Sequence, residues 1–312
     1  MPKGKFKDLA VGGQAVFEGV MMRTPNAVAI AVRDPKKKIH VDSFKYNSLT
    51  QKYKFLNIPI LRGVINLFEM TKLGTHAINY SVEIGLDEKP KENSSKFEKI
   101  THSILQVLSF IFSLFLAMFL FKYLPLLVSE FFANNFKAIK DNYILFNTVD
   151  AFLKIFIFGS YVGLLHISKS LRRVFQFHGA EHMAVHAYEK DLNMTIQNVK
   201  SQTTLHPRCG TSFIVFIFIL SVIFYTLIPK SPDFWSNLGL RIALLPLLIG
   251  VSYEILKLAG KNIESKLFKI ISIPGLLFQK ITTKKPKKDQ IEVAIRALNE
   301  CLILEENVRS QS

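Results

Sequence analysis

Closely spaced histidines and a glutamate are the residues of this chain best suited to chemistry. Segment 177–182 reads FHGAEH, so His178 and His182 are four positions apart and Glu181 directly precedes the second histidine. On an α-helix, two histidines at this spacing lie on one face about 6 Å apart along the axis, close enough to bind one ion. The order HxxEH is the inverse of the zinc-peptidase signature HExxH, in which the glutamate acts as a base. The pattern therefore predicts a metal centre with Glu181 as its catalytic base.

Further metal ligands must come from other segments of the chain. His186 is about 12 Å from His178 along a helix, and zinc–nitrogen bonds are about 2.0–2.1 Å long, so one ion cannot hold all three helical histidines. We keep His186 as an alternative to His178. The other candidates are His206 and Cys209, which precede an apolar segment, and Glu254, the one carboxylate of the last apolar block. Zinc is the expected divalent ion, and these ligand types also suit iron, cobalt and nickel.

Each candidate also has a structural interpretation. A histidine pair can simply hydrogen-bond the backbone or lipid phosphate, and a five-residue pattern arises easily by chance. Cys209 fits equally well as a small buried residue at the start of a helix. Asp150 and Lys154, four residues apart in an apolar block, are expected to neutralise each other. Glu181 could form a structural ion pair with a nearby arginine, for which the candidates are Arg172, Arg173 and Arg208.

Composition indicates the class of protein that positions these groups. The chain of 312 residues has 27 phenylalanines, a mean hydropathy of +0.24 and only 21% charged residues, which is too apolar for an ordinary soluble domain. Four apolar blocks are long enough to cross the roughly 30 Å hydrocarbon core of a bilayer. We therefore expect a mainly α-helical, polytopic membrane protein with about four transmembrane helices and a small N-terminal β-hairpin and helix portion. The four blocks are 104–128, 149–168, 211–229 and 238–258.

Basic residues decide the expected orientation. Segments 130–148 and 230–237 contain few of them, whereas 169–210 and both termini are rich in Lys and Arg. By the positive-inside rule, both termini and the histidine-rich loop face the cytoplasm. The formal charge of +16 then lies mostly where anionic head groups attract it, so membrane lipids are expected partners. No aromatic and basic platform or groove-reading helix accompanies the charge, so the sequence predicts no nucleic-acid binding.

Three regions are expected along the chain. The N-terminal region is cytoplasmic or membrane-associated, with a hairpin at about 27–44 and an interfacial helix at about 59–84. The central region holds the four spans and the cytoplasmic histidine-rich loop, and the last region is a cytoplasmic amphipathic tail. The boundaries are 1–100, 101–260 and 261–312.

Smaller features complete the expected organisation. The glycine-rich run at 12–23 reads as a loop with one carboxylate, and the polar segment 87–99 as a linker. The basic first residues are not followed by an apolar core, which argues against a cleaved signal peptide. Cys209 and Cys301 both fall on the cytoplasmic side, where thiols stay reduced, so we expect no disulfide and leave Cys209 free to bind metal.

Five blocks in order carry a resemblance to a known family. They are GGQAVFEGVMMR at 12–23, RGV at 62–64, FHGAEHMAVHAYE at 177–189, LHPRCGTSF at 205–213 and PGLLFQKITTKKPKKDQIEVAIRAL at 274–298. Together they resemble the YqhQ-like family (DUF1385) of bacterial membrane proteins, a family of unknown function often labelled as predicted metal-dependent enzymes. The resemblance implies a location in the bacterial inner (cytoplasmic) membrane and favours metal binding, but it supplies no reaction. The residues it favours as ligands are His178, His182, His206 and Cys209.

Two classes of function follow from these patterns. The first is a metal-dependent hydrolase whose substrate is a membrane protein, peptide or lipid reached from the cytoplasmic interface. The second is a non-catalytic scaffold, chaperone or ion-handling protein whose His/Glu cluster is structural; a transporter is its weaker form, because four spans with few polar groups leave little material for a pathway. Metal content, and whether Glu181 faces the histidines or an arginine, separates the two. The sequence does not indicate the oligomeric state.

Overall fold

A computed structural model describes residues 9–86, 96–228, 231, 233–262 and 265–311, and it is mainly helical with one small sheet. This confirms the expected mainly helical character and the small N-terminal β portion. A 3-10 turn covers Lys54–Asn57, and a π-helical turn at Phe119–Tyr123 joins two α-helices. The strands are β1 (Gly12–Val16), β2 (Gly19–Arg23), β3 (Ala27–Arg33) and β4 (Ile39–Lys45). The helices are α1 (Leu49–Lys52), α2 (Leu61–Gly85), α3 (Lys96–Met118), α4 (Leu124–Asn135), α5 (Lys137–Asp141), α6 (Tyr143–Leu165), α7 (Lys169–Glu189), α8 (Ile196–Lys200), α9 (Gly210–Thr226), α10 (Phe234–Ala243), α11 (Leu245–Lys261), α12 (Lys266–Thr282) and α13 (Lys288–Ser310).

The four strands form one antiparallel sheet in the order β1-β2-β3-β4. The expected hairpin at about 27–44 is present as β3 and β4. Segment 12–23 is not the loop that its glycines suggested, because it forms β1 and β2 with Glu18 in the turn between them at φ 50°. A Cβ on Gly19 would lie 2.5 Å from the Ala31 carbonyl oxygen, so this glycine is needed for close pairing and does not mark a loop.

Both faces of the sheet are covered by helices. One face packs against α7 and α13, and the other against Leu73 and Ala77 of α2. Because strand residues point alternately to the two faces, Ala27 to Val32 of β3 are fully buried. At the far end of α13, buried Glu305 Oε2 accepts hydrogen bonds from the Thr24 hydroxyl (2.9 Å) and the Asn26 backbone N–H (2.8 Å).

The region 261–312, expected from the sequence to be a cytoplasmic amphipathic tail, contains two helices that pack against the rest of the protein. α12 lies against α9 and α13 lies across the sheet. The amphipathic pattern of α13 was visible in the sequence, but the surface that receives its apolar face is assembled from strands more than 250 residues earlier. Of the linker expected at 87–99, residues 87–95 lie outside the described residues and 96–99 already belong to α3.

Two helices of the described chain are long and apolar enough to cross a membrane. They are Val107–Asn135, 29 residues including the π-helical turn, and Tyr143–Leu165 with 23 residues. The pair α10 and α11 passes the same test but is bent by 41°, so it counts as a third span only if both helices cross together. α9 is apolar but about 25 Å long, shorter than a hydrocarbon core of roughly 30 Å. Length and composition thus support two or up to three spans, whereas four were expected from the sequence.

Candidate metal centre

Helix α7 carries both histidines of the HxxEH motif and is held from two sides. Its N-cap Ser168 accepts the Leu171 backbone N–H, and its inner face contacts β1 and α13. The segment after α12 also lies directly on α7, because the Lys284 N–H donates to the Phe175 carbonyl at 2.9 Å. This close approach requires Gly179, where a Cβ would lie 2.1 Å from the Lys284 carbonyl oxygen. The end of α12 is therefore seated beside the motif.

Three of the expected ligands form one group. The candidate ligand atoms of His178, His182 and Cys209 all lie within 4.8 Å of one another. His178 Nε2 is 3.2 Å from Cys209 Sγ, and the ring centres of His178 and His182 are 4.4 Å apart. Cys209 reaches the group because it caps the N-terminus of α9, where its Sγ accepts the Thr211 N–H at 3.4 Å. We call these three residues the His178 group.

Backbone carbonyls determine which nitrogen of each ring faces this group. His178 Nδ1 lies 2.8 Å from the Thr282 carbonyl oxygen, and His182 Nδ1 lies 2.6 Å from that of Thr204. Since a carbonyl oxygen only accepts, each Nδ1 carries the proton, and Nε2 of each neutral ring keeps a lone pair. Metal-binding histidines commonly receive this kind of support. Burial lowers the pKa of His182, partly opposed by Cys209, so this ring is neutral at neutral pH.

A second group contains His186, Glu189 and His206, whose candidate ligand atoms also lie within 4.8 Å of one another. The Arg208 backbone N–H donates to His206 Nδ1 at 3.3 Å, so the proton of the neutral ring is on Nε2 and points to Glu189 Oε2, 3.3 Å away. Glu189 also forms an ion pair with the Arg208 guanidinium. A proton occupies one candidate ligand atom and a cation competes for the carboxylate. The second group is therefore less suited to a metal ion than the His178 group.

Glu181 faces the His178 group. Its Oε2 lies 3.5 Å from His182 Nε2, and the carboxyl is buried. Burial raises the pKa of Glu181, with His178 and His206 acting in the opposite direction, so its carboxylate is a stronger base than an exposed one. Gly13 of β1 makes room for it, since a Cβ there would lie 2.7 Å from Glu181 Cγ. In the described contacts, the three arginines near it in sequence bind elsewhere: Arg172 to the His166 carbonyl, Arg173 to Glu18 and Arg208 to Glu189.

Two residues expected as ligands from the sequence lie outside the His178 group. Both carboxylate oxygens of Glu254 accept hydrogen bonds from the Arg62 guanidinium, with Arg62 Nε 2.6 Å from Oε1, so Glu254 links α11 to α2. A bidentate arginine pair is a strong alternative to metal binding for a carboxylate among apolar residues. His206, together with the alternative ligand His186, belongs to the second group. Burial lowers the pKa of His206, and it lowers the pKa of His186 to about 4.

The groups that orient these ligands were missed from the sequence. Thr204 and Thr282 act through their backbone carbonyls, which no side-chain pattern marks. Buried Gln279 of α12 holds the His206 main chain, accepting its N–H at 2.7 Å and donating to its carbonyl at 2.7 Å. Glu189 could have been identified from the sequence, because it lies three residues after His186 on the same face of a helix.

Replacing Gly179 with Ala is expected to displace the segment after α12 and to weaken metal binding. The new Cβ would lie 2.1 Å from a backbone oxygen, and the Thr282 carbonyl that orients His178 is two residues before that contact. We expect metal affinity to fall by roughly 10- to 100-fold, as when other groups that hydrogen-bond a metal ligand are lost, and stability to fall by about 1–3 kcal/mol. Metal titration and thermal unfolding measure these effects. Gly163→Ala is the matched control, because a Cβ there meets nothing within 4 Å; unchanged affinity in Gly179→Ala would contradict the expectation.

Comparison with known proteins gives one family and one similar relative. Residues 58–303 match the family described as "Protein of unknown function (DUF1385)". The "Uncharacterized protein YqhQ" of Bacillus subtilis (strain 168) is 36% identical over 310 residues, covering 95% of this chain and 93% of the relative. No solved structure matches. The His178 group, Glu181 and the second group all lie inside the matched segment.

Proposed function

Because this chain belongs to the DUF1385 family, whose description assigns no activity, we propose a function from the geometry of the site: a metal-dependent hydrolase at the cytoplasmic face of a membrane. The proposed ion is divalent, with zinc the expected one. The single observation that carries the proposal is that His178 and His182, each oriented by a backbone carbonyl, direct unprotonated Nε2 atoms to the same place as Cys209 Sγ.

The residues present fit a catalytic ion better than a structural one. Two imidazoles and a thiolate are ligands that zinc prefers, and structural zinc sites in proteins usually have four protein ligands. The His178 group offers three, which leaves a position for water or substrate. A carboxyl group with a raised pKa, Glu181, stands beside that position. This combination of an open position and an adjacent base favours catalysis.

The roles of the chain's own residues follow from their contacts. A divalent ion supplies Lewis acidity and makes a nearby water more acidic. His178, His182 and Cys209 hold the ion, and the carbonyls of Thr204 and Thr282 keep the rings in the correct tautomer. Glu181 accepts the proton that water loses when it attacks a carbonyl or phosphoryl centre. Burial of Glu181 keeps bulk water from competing for that proton.

We further propose that α9 completes a set of four spans, beside α3–α4, α6 and α10–α11. Cys209 caps α9, so the metal centre lies at the level where the apolar surface of that helix begins. The surrounding segment 169–210 is rich in Lys and Arg, which supports the proposal that it and both termini face the cytoplasm at the inner (cytoplasmic) membrane of a bacterium. A substrate reached from that interface is a membrane protein, a peptide or a lipid.

Metal content tests the proposal. We expect purified full-length protein in detergent to bind one equivalent of zinc. His182→Ala should bind it at least about 100-fold more weakly, since losing a ligand should cost more than losing a group that only hydrogen-bonds a ligand. In the cobalt-loaded protein, a thiolate-to-metal charge-transfer band should be present and should disappear in Cys209→Ser. His76→Ala is the control: its side chain is 52% exposed and pairs with Asp42.

Two results would contradict the proposed centre. One is wild-type protein that binds no stoichiometric metal under any loading condition. The other is metal binding that survives in His182→Ala but is lost in His186→Ala or His206→Ala, which would assign the ion to the second group.

A further inference from the structure

A cluster of charged side chains lies in the helical bundle apart from the metal centre. Tyr225 is in the last turn of α9, whereas Cys209 caps its first turn, so about 24 Å of helix separates the two sites. The cluster draws on four elements: the π-helical turn, α6, α9 and α10. We define the bundle cluster as Lys122, Asn147, Asp150, Lys154, Tyr225 and Arg241.

Positive charge exceeds negative charge in this cluster. The three cations are almost fully buried, with exposed fractions of 6% for Lys122, 1% for Lys154 and 4% for Arg241. In the described ion pairs of these cations, the carboxylate is that of Asp150, which is 0% exposed. Three formal positive charges therefore share one negative charge. An uncompensated charge inside an apolar bundle is costly, and ionisable residues in such places usually mark a functional site.

Asp150 already forms two ion pairs. Lys154 Nζ donates to Asp150 Oδ2, as the sequence pattern predicted, and Arg241 Nη1 lies 2.7 Å from the same oxygen. Arg241 Nη2 donates to the side-chain carbonyl of Asn147 at 2.8 Å, and this amide carries no charge. One carboxylate thus balances one of these two cations, and the second remains without a counter-charge.

Lys122 has a neutral partner in place of a carboxylate. Its Nζ donates to the Tyr225 hydroxyl at 2.8 Å. The cationic groups of all three basic residues also lie near the Tyr225 ring, at 5.5 Å for Lys122, 5.0 Å for Lys154 and 4.6 Å for Arg241 from its centre. An aromatic face attracts a cation but carries no net charge. The ring therefore gathers the three cations without neutralising them.

Hydrogen-bonding capacity is also left over. Asp150 Oδ1 is buried without a hydrogen-bond partner, whereas the other oxygen of the same carboxylate is in contact with Lys154 and Arg241. Buried charged groups in proteins are nearly always hydrogen-bonded, so this oxygen indicates a missing polar group. Lys122 itself lies in a π-helical turn, a feature that is frequent at functional sites within helices.

We propose that the bundle cluster is a binding site for a phosphate-bearing anion. The phosphate oxygens of such an anion accept hydrogen bonds from Arg and Lys, and its negative charge offsets the excess positive charge of the cluster in part or in full. Lys122 and Arg241 hold the anion, while Asp150 and Lys154 neutralise each other. Asp150 Oδ1 accepts a hydrogen bond from a hydroxyl group or a water molecule that is bound together with the anion. The phosphate group belongs either to a lipid head group at the end of the bundle opposite the metal centre or to a soluble phosphate.

Thermal unfolding of the full-length protein in an uncharged detergent tests this site. One arm compares inorganic phosphate with chloride at equal ionic strength, and the other compares micelles containing phosphatidylglycerol with micelles containing phosphatidylcholine. At an anion concentration about five times its dissociation constant, we expect the unfolding temperature to rise by roughly 1 to 2 °C. A rise in the first arm alone identifies a soluble phosphate as the ligand, and a rise in the second alone identifies a lipid head group.

Three variants separate the site from a general effect of anions. Lys122→Met removes an unbalanced cation and should abolish the rise. Asn147→Asp places a carboxylate beside Arg241 Nη2, so the protein itself supplies a second negative charge. The rise in unfolding temperature should then be much smaller. Lys140→Gln, at an exposed lysine of the short helix α5, should keep the full rise.

The proposal is overturned if the wild-type protein shows no rise in either arm, because the cluster is then neutralised without an anion. It is equally overturned if Lys122→Met retains the full rise. Should Lys122→Met fail to fold, Asn147→Asp decides the question, and an undiminished rise in that variant rejects the site. None of these outcomes depends on the metal centre at the other end of α9.

Discussion

Replacing Glu181 with Gln is expected to leave the metal content unchanged and to lower hydrolytic turnover by about 10²- to 10⁴-fold, the usual contribution of a positioned general base. Gln keeps the size and shape of Glu but cannot accept a proton. The carboxyl lies 3.5 Å from His182 Nε2, and burial raises its pKa. Turnover is measured in zinc-loaded protein with chromogenic ester, peptide and phosphodiester substrates in detergent micelles, with metal content determined on the same samples.

Glu189→Gln is the matched control on the same helix. Glu189 is held by Arg208 and His206 in the second group, so its replacement should lower turnover far less. Equal losses in the two variants would show that Glu181 has no special role as a base. Loss of zinc from Glu181→Gln would instead make this residue a fourth ligand, and a closed set of four ligands favours a structural metal site.

Asp150→Asn is expected to destabilise the protein by about 3–5 kcal/mol, because it removes the carboxylate shared by Lys154 and Arg241 and leaves both charges buried. Denaturant or thermal unfolding in detergent measures the change. The double variant Asp150→Asn with Lys154→Met should recover part of the loss, since it removes one of the two orphaned cations.

Asp42→Asn provides the comparison for this experiment. Asp42 also pairs with a basic side chain, His76, but the two are 36% and 52% exposed. A pair so accessible to water contributes only about 0–1 kcal/mol, so the change should be small. Similar effects of Asp150→Asn and Asp42→Asn would mean that the bundle cluster does not hold the charges assigned to it.

Local pattern predicted the elements of this fold better than their packing. The hairpin at 27–44, the helix at 59–84 and the amphipathic character of α13 followed from periods of two and 3.6 residues. The strands β1 and β2 were missed, because glycines at 12, 13 and 19 are typical of turns and only the close approach of β3 explains Gly19. α9 was correctly identified as apolar, but its length as a helix was overestimated.

The sequence by itself determined that His178, Glu181 and His182 share one region of a helix, because the turn of an α-helix brings positions three and four apart together. It also determined that the chain contains apolar helices of membrane-spanning length. Neither conclusion required a contact between distant residues.

Only the tertiary structure decided which other residues join the two histidines. Cys209, His206 and Glu254 were all eligible by chemical type. The choice came from the cap of α9, which presents Cys209, from the Arg208 N–H, which sets the tautomer of His206, and from Arg62, which binds Glu254 across 192 positions of sequence. Contacts at such separations depend on how helices pack, and packing reflects the shapes of all the side chains together, which a local pattern does not contain.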